Sequence, residues 1–144
     1  MATATIHTGA TVTLNGRDYG TSAASVTLAG VTKVVDSGAV TCLDGTAGTL
    51  LLISATAGGN TLATIKYLEI TNNETTGNPA IIGIINGSEA IYLEIPAGQT
   101  LRLWSDQIEA NATGGAFSSL AAATSITGQG RSATASLSLL AFGT

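Results

Sequence analysis

An all-β fold, an antiparallel β-sandwich with jelly-roll-like connections, is what this sequence predicts, on three observations. Short segments that alternate apolar and polar residues recur from end to end, each closed by Gly, Asn, Asp or Pro. Ala (23), Thr (23), Gly (18) and Ser (12) make up over half of the 144 residues, while Glu, Lys, Gln, Arg and Met are scarce. Thr suits strands, Gly and Ser suit turns, and the scarce residues are the strong helix formers. Two Asn-Gly pairs, Asn15-Gly16 and Asn86-Gly87, sit between alternating runs, where tight hairpin turns need residues that tolerate a positive φ. The length fits a single domain over residues 1–144 with a core of its own, and residues 1–60 stand apart as a candidate additional assembly-contact region.

Taken in order, the alternation predicts strands near 3–7, 10–15, 24–28, 32–35, 39–43, 49–55, 62–71, 80–85, 89–95, 100–104, 117–126 and 132–142. If Asn86-Gly87 is a two-residue loop, Ile82 faces Ile91 and Ile81 faces Tyr92. A simple loop over Pro96-Ala97-Gly98-Gln99 would set Glu94 opposite Leu101 and mismatch the two faces, so this turn is expected to cross between sheets. The run 114–123 has the small residues of a helical turn, but strand is preferred, pairing through a glycine-rich turn at 127–131 with the closing strand SATASLSLLAF.

The parity of these strands sorts side chains into two sets. Leu68, Ile70, Ile91, Leu93, Ile95, Leu101 and Leu103 form the natural core. The opposite set, Tyr67, Glu69, Ile81, Tyr92, Glu94, Arg102 and Trp104, is mixed and holds three of the six aromatics. Aromatics on an outer face stack on sugars, anchor a protein contact, or form a second core under another layer. A charged fraction of 10%, against about 25% in ordinary globular chains, favours protein contact and association of the chain with itself. Tyr67, Ile81, Tyr92, Arg102 and Trp104 are therefore the candidate interface residues.

Residues for chemistry are few. A net charge of -4 with five basic residues argues against nucleic acid, whose backbone demands clustered Lys and Arg. His7 is the sole histidine and lies in the first strand, a poor mount for a general base. Cys42 is the sole cysteine, which excludes an intrachain disulfide and leaves it the role of a small buried hydrophobe. Glu89, Glu94, Asp106 and Glu109 fit solvated or ion-paired roles better than a hydrolytic pair, and Asp18, Asp36 and Asp44 lack calcium-loop spacing. Gly128-Gln-Gly130-Arg-Ser-Ala133 matches a relaxed dinucleotide fingerprint, but a strand follows it where that motif requires a helix. Asn-x-Ser/Thr triplets at Asn73, Asn86 and Asn111 are expected by chance in so Thr-rich a chain. The expectation is no enzyme, no metal and no cofactor. With no basic-then-apolar start and no apolar run near ~20 residues, a soluble product of the cytoplasm with no membrane partner is also expected.

The run LEITNNETTGNPAIIGIINGSEAIYLEIPAGQTLRLWSDQI resembles small β-sandwich structural proteins of tailed bacteriophages, above all capsid decoration (cement) proteins. The matching positions are Ile70, Asn72, Gly83, Leu93, Pro96, Gly98 and Leu101, and they describe a fold rather than an activity. The resemblance implies a virion protein on the outer capsid surface that binds the major capsid protein as a homotrimer and stabilises the shell. A tail, fibre or neck module, in one form glycan-binding, is the alternative it leaves open.

Overall fold

The computed structural model describes residues 2–14, 17–53, 61–104 and 120–144. These residues form eleven strands: β1 (Ala2–Leu14), β2 (Arg17–Val31), β3 (Lys33–Cys42), β4 (Gly48–Ile53), β5 (Thr61–Leu62), β6 (Ile65–Asn72), β7 (Ala80–Asn86), β8 (Glu89–Ile95), β9 (Thr100–Trp104), β10 (Ser125–Gly130) and β11 (Ala135–Gly143). β1 and β2 make a two-stranded ribbon. The rest make two sheets, one of four strands in the order β3-β11-β6-β9 and one of five in the order β5-β4-β10-β7-β8. Every pairing is antiparallel except the short β4–β5 contact.

The two sheets enclose one core because parity is kept along each strand. Leu68, Ile70, Leu137, Leu139 and Ala141 from the four-stranded sheet meet Ala80, Ile82, Ile84, Leu51 and Ile126 from the other, all buried. Ile91, Leu93, Leu101 and Leu103 close its margins, half-buried. Each fully buried aliphatic side chain contributes about 1.5–3 kcal/mol of transfer free energy. Leu50 and Leu51 are both buried although adjacent, because a bulge opposite Ile126 and Thr127 leaves Leu50 as an extra residue on β4.

β3 shows the same device and explains why its sequence reads as two strands. Its register with β11 jumps between Asp36 and Gly38, where Gly38 takes a φ of 58° and its amide donates to Asp36 Oδ1 at 3.0 Å. Ser37 Oγ accepts from the Leu139 amide at 3.2 Å in place of a ladder bond. The segments expected at 32–35 and 39–43 are thus one bulged strand. Likewise 3–7 and 10–15 are one strand, β1, with a register shift between Thr8 and Ala10. The Asn15-Gly16 turn lies outside the described residues, but Leu14 pairs with Arg17 on either side of it.

Three other expectations are corrected. The second hairpin turns on Gly87-Ser88, with Gly87 at φ 58° and Asn86 opposite Glu89, so Ile82 faces Leu93 and Ile81 faces Glu94. The slip is two residues, which changes partners and preserves faces. Residues 125–130, expected to end one strand and supply a turn, are a continuous strand paired with β4 and β7, and Leu120–Ala122 is a 3-10 turn. Glycines suit that strand because the space beside them is taken. A Cβ on Gly128 would lie 2.8 Å from Leu137 Cδ1 and 2.9 Å from Leu50 Cδ1. The segment at 117–119 lies outside the described residues.

The expected sheet crossing at Pro96–Gln99 is present: β8 belongs to the five-stranded sheet and β9 to the four-stranded one. Asn72, the only buried polar side chain among the described residues, pins this corner. Its Nδ2 donates to the carbonyls of Asn78 (2.8 Å) and Ile95 (3.1 Å), and its Oδ1 accepts from the Glu74 amide at 3.2 Å. Gly98, at φ 71°, returns its amide to the Asn72 carbonyl at 3.0 Å.

Candidate functional site

Among the described residues no three of His, Cys, Asp and Glu come together in a group that could hold a metal ion. Cys42 is buried and its thiol is pushed up by that burial, as suits a packing residue. Asp106 and Glu109 lie outside the described residues, Glu89 and Glu94 are edge residues of β8, and Asn73 spends its amide on Ser138 Oγ at 2.8 Å. The interface candidates read from the sequence lie on the two outer faces of the sandwich.

Sequence parity places Tyr67, Ile81, Tyr92, Arg102 and Trp104 in one outward set, and the fold divides that set between opposite sides of the molecule. β6 and β9 belong to one sheet and β7 and β8 to the other. Parity reports whether a side chain points in or out. It carries no information on which sheet the strand joins, and the chain changes sheet between β6 and β7 and again between β8 and β9.

On the four-stranded sheet, Tyr67 lies opposite both Trp104 and Phe142, with the Tyr67 and Phe142 rings stacked at 5.2 Å and 24°. This row is covered by the base of the ribbon: Ile6, Leu28 and Val31 pack on it with Ala4 and Val26 to form a second core. Tyr67 is 3% exposed and Trp104 half-buried. Gly30, at φ 69°, is the extra residue that brings Val31 inward, and Lys66 Nζ donates to the Ala29 carbonyl. The next row is polar on one side of the sheet, where Glu69 Oε2 accepts from Tyr67 Oη at 2.5 Å and from Arg102 Nε at 2.8 Å. Burial first, then the bond to Glu69, pushes the Tyr67 phenol up to about 12. For Glu69 partial burial works upward, but the bonds from Tyr67 and Arg102 outweigh it and hold the carboxyl below its ordinary value. His7, exposed, joins Thr5, Tyr67, Glu69, Arg102 and Leu140 around a shallow cleft at the ribbon's edge.

The outer face of the five-stranded sheet has no such cover from the described residues of the chain. Across it run Leu52, Ser125, Ile85 and Ala90 in one row, Thr127, Gly83 and Tyr92 in the next, and Gln129, Ile81 and Glu94 in a third. Tyr92 is 66% and Leu52 50% exposed. Gly83 makes room for the tyrosine: a Cβ there would sit 3.1 Å from Tyr92 Cε1 and 2.4 Å from Thr127 Oγ1. Arg131 pairs with Glu94 at the rim.

Several contributors were not among the sequence-derived candidates: Phe142, Ile6, Leu28 and Val31 on the covered face, and Leu52 on the bare one. The signal for Phe142 is present in β11. Its outward residues run Ser136, Ser138, Leu140, Phe142, so the outward side of this strand turns apolar where the ribbon lies. Compared with protein-family models, with curated proteins and with solved structures, the chain matches none of them.

Proposed function

We propose that this chain is a structural protein of a bacteriophage virion, a decoration protein that stabilises a capsid by covering joints between its subunits. The reading is carried by one observation: the outer face of the five-stranded sheet, which no described residue covers, presents exposed Tyr92 and Leu52 beside half-buried Ile81 and Ile85, while the aromatic row of the other sheet packs under the chain's own ribbon. A face of that kind acts by burial. Apolar area removed from water contributes about 25 cal/mol per Å², so a joint stabilised this way requires no catalysis. The partners are the major capsid protein and further copies of the chain, assembled as a homotrimer on the outer shell.

The strand order supports the jelly-roll reading of the sandwich. With β5 set aside, the eight sandwich strands pair first with eighth, second with seventh, third with sixth and fourth with fifth, as in a long hairpin rolled up. A second reading, a tail or fibre module that binds glycan, draws on Tyr92 beside the Glu94–Arg131 pair, since sugars take an aromatic platform flanked by polar groups. Co-sedimentation with empty, undecorated capsids separates the two. Saturable retention by capsids, with none on a glycan array, is the expected result, and retention on the array without capsid binding overturns the decoration reading.

A further inference from the structure

Asparagine followed by glycine is a chemically fragile pair as well as a turn signal, and the described residues hold one such pair, Asn86-Gly87. When a main-chain amide loses its proton, its nitrogen attacks the side-chain carbonyl of an asparagine that precedes it. In a folded chain the reaction depends on what already holds that nitrogen. The four described asparagines, at 72, 73, 78 and 86, differ on this point.

After Asn72 comes the Asn73 amide, which donates to the Ser136 carbonyl at 2.8 Å. After Asn73 comes the Glu74 amide, which donates to Asn72 Oδ1 at 3.2 Å. The side chains of Asn72 and Asn73 are tied as well, the first to the carbonyls of Asn78 and Ile95 and the second to Ser138 Oγ. Asn78 precedes Pro79, which has no N–H to lose. Gly87 lies beyond the β7–β8 ladder, whose closing pair is Asn86 with Glu89. Among the described residues its amide reaches only Thr124 Oγ1, at 3.4 Å, longer than an ordinary N–H···O bond. Gly87 and Ser88 are exposed, and a Cβ added to Gly87 would meet nothing within 4 Å, so the nitrogen sits in an open loop tip.

We propose that Asn86 is a site of spontaneous covalent modification, deamidation through a cyclic imide closed by the Gly87 nitrogen. The bond from the Gly87 nitrogen to Asn86 Cγ forms, the Cγ–Nδ2 bond breaks, and ammonia leaves with the proton given up by the amide. Water then adds to one of the two ring carbonyls and opens the ring. Opening at Cγ leaves an aspartyl residue. Opening at the main-chain carbonyl leaves an isoaspartyl residue, whose main chain runs through Cγ and is one methylene longer. Either product adds a carboxylate opposite Glu89, and the net charge of -4 becomes one unit more negative. Like charges in directly opposed positions destabilise a strand pair. The isoaspartyl form also lengthens the loop, so the closing pair loses its fit while Ile84, two rungs on, stays in the core. The reaction thus loosens the end of the β7–β8 hairpin slowly and irreversibly.

The test uses the folded native chain, held for weeks in mildly alkaline buffer at body temperature. Peptide mapping by mass spectrometry follows each asparagine separately, with Asn15-Gly16 in a peptide of its own. The Asn86 peptide is expected to gain the mass of an amide-to-acid exchange and to split into two isomers, one of them a substrate for an isoaspartyl methyltransferase. The peptides of Asn72, Asn73 and Asn78 are expected to stay unchanged over the same period. Gly87→Ala shields the nitrogen and is expected to slow conversion by about tenfold, a barrier higher by about 1.4 kcal/mol. Circular dichroism matching the native spectrum shows that this variant has folded. The separated isoaspartyl form is expected to melt below the native chain, with Asn86→Asp, which adds the charge without the extra methylene, between the two. An Asn86 peptide that keeps its mass in the folded chain but converts in urea shows that the hairpin protects the pair, and overturns the proposal. Conversion at Asn72 or Asn73 as fast as at Asn86, or an unchanged rate in folded Gly87→Ala, overturns it too.

Discussion

The two outer faces of this sandwich are built from residues of the same strand parity and meet opposite fates. On the four-stranded sheet Tyr67 and Phe142 stack at 5.2 Å beneath Ile6, Leu28 and Val31. On the five-stranded sheet Tyr92 lies 66% exposed over a glycine. The difference teaches that an outward aromatic is neither core nor interface by its own nature. What decides is whether another layer of the same chain reaches it, and among the described residues one ribbon reaches one face.

The largest effect expected from this contrast is on folding. Tyr67→Ala removes a ring buried in the second core and costs about 3–5 kcal/mol, read as a fall in the denaturant midpoint at unchanged slope. Trp104→Ala costs about 2 kcal/mol, less because its ring is only partly covered. Should Tyr67→Ala prove as mild as a surface change, the ribbon does not cover the sheet in solution and the contrast collapses.

Gly83→Val tests the bare face next. The added side chain meets Thr127 Oγ1 and Tyr92 Cε1, both on side chains that open solvent allows to move, so a cost of about 1–2 kcal/mol is expected. At Gly128, enclosed by Leu137, Leu50 and Cys42, even Ala is expected to be the more damaging substitution, because those neighbours are packed in the core. Thermal melts of the two variants side by side check the order.

A smaller effect separates the rows within the covered face. Tyr67→Phe keeps the ring and loses the hydroxyl that donates to Glu69, at about 1 kcal/mol. The native phenol titrates near 12 and an unfolded tyrosine near 10, so its contribution is complete below about pH 10 and lost as pH rises from there toward 12. Tyr67→Phe removes that share of the alkaline slope in unfolding measured against pH. Glu69 works with the opposite sign: its carboxyl is held low, so its share is complete above its unfolded value and lost as pH falls through the native one. That acid effect is small, because Arg102 is 52% exposed and water screens the pair.

The smallest effects belong to Tyr92→Ala and Arg131→Ala, each within about 0.5 kcal/mol for the isolated subunit. The pairing of Arg131 with Glu94 is solvent-exposed on both sides. Equal losses for Tyr92→Ala and Tyr67→Ala would show that both faces are covered by the chain itself and would remove the candidate contact surface.

Much of this fold is legible in the residues alone. Strand class, the inward set from Leu68 to Leu103 and the crossing at Pro96–Gln99 follow from alternation with period two, which is a local property of an extended backbone. The slip of the β7–β8 hairpin leaves the face assignments intact for the same reason, since a shift of two residues returns every side chain to its own side.

Tertiary structure alone decided the rest. Glycines 128 and 130 read locally as a turn, but at these positions core side chains and the 131–134 crossing leave no room for a Cβ, a constraint invisible to the pattern of the strand itself. Sheet membership is likewise non-local: the pairing of β11 with both β3 and β6 depends on chain returns of many tens of residues, and no pattern inside a strand encodes its neighbour. The sequence by itself therefore determined that Tyr67, Trp104, Ile81 and Tyr92 point outward. Which sheet each strand joined, and where the ribbon came to rest, decided that Tyr67 is buried and Trp104 partly covered, while no described residue covers Ile81 and Tyr92.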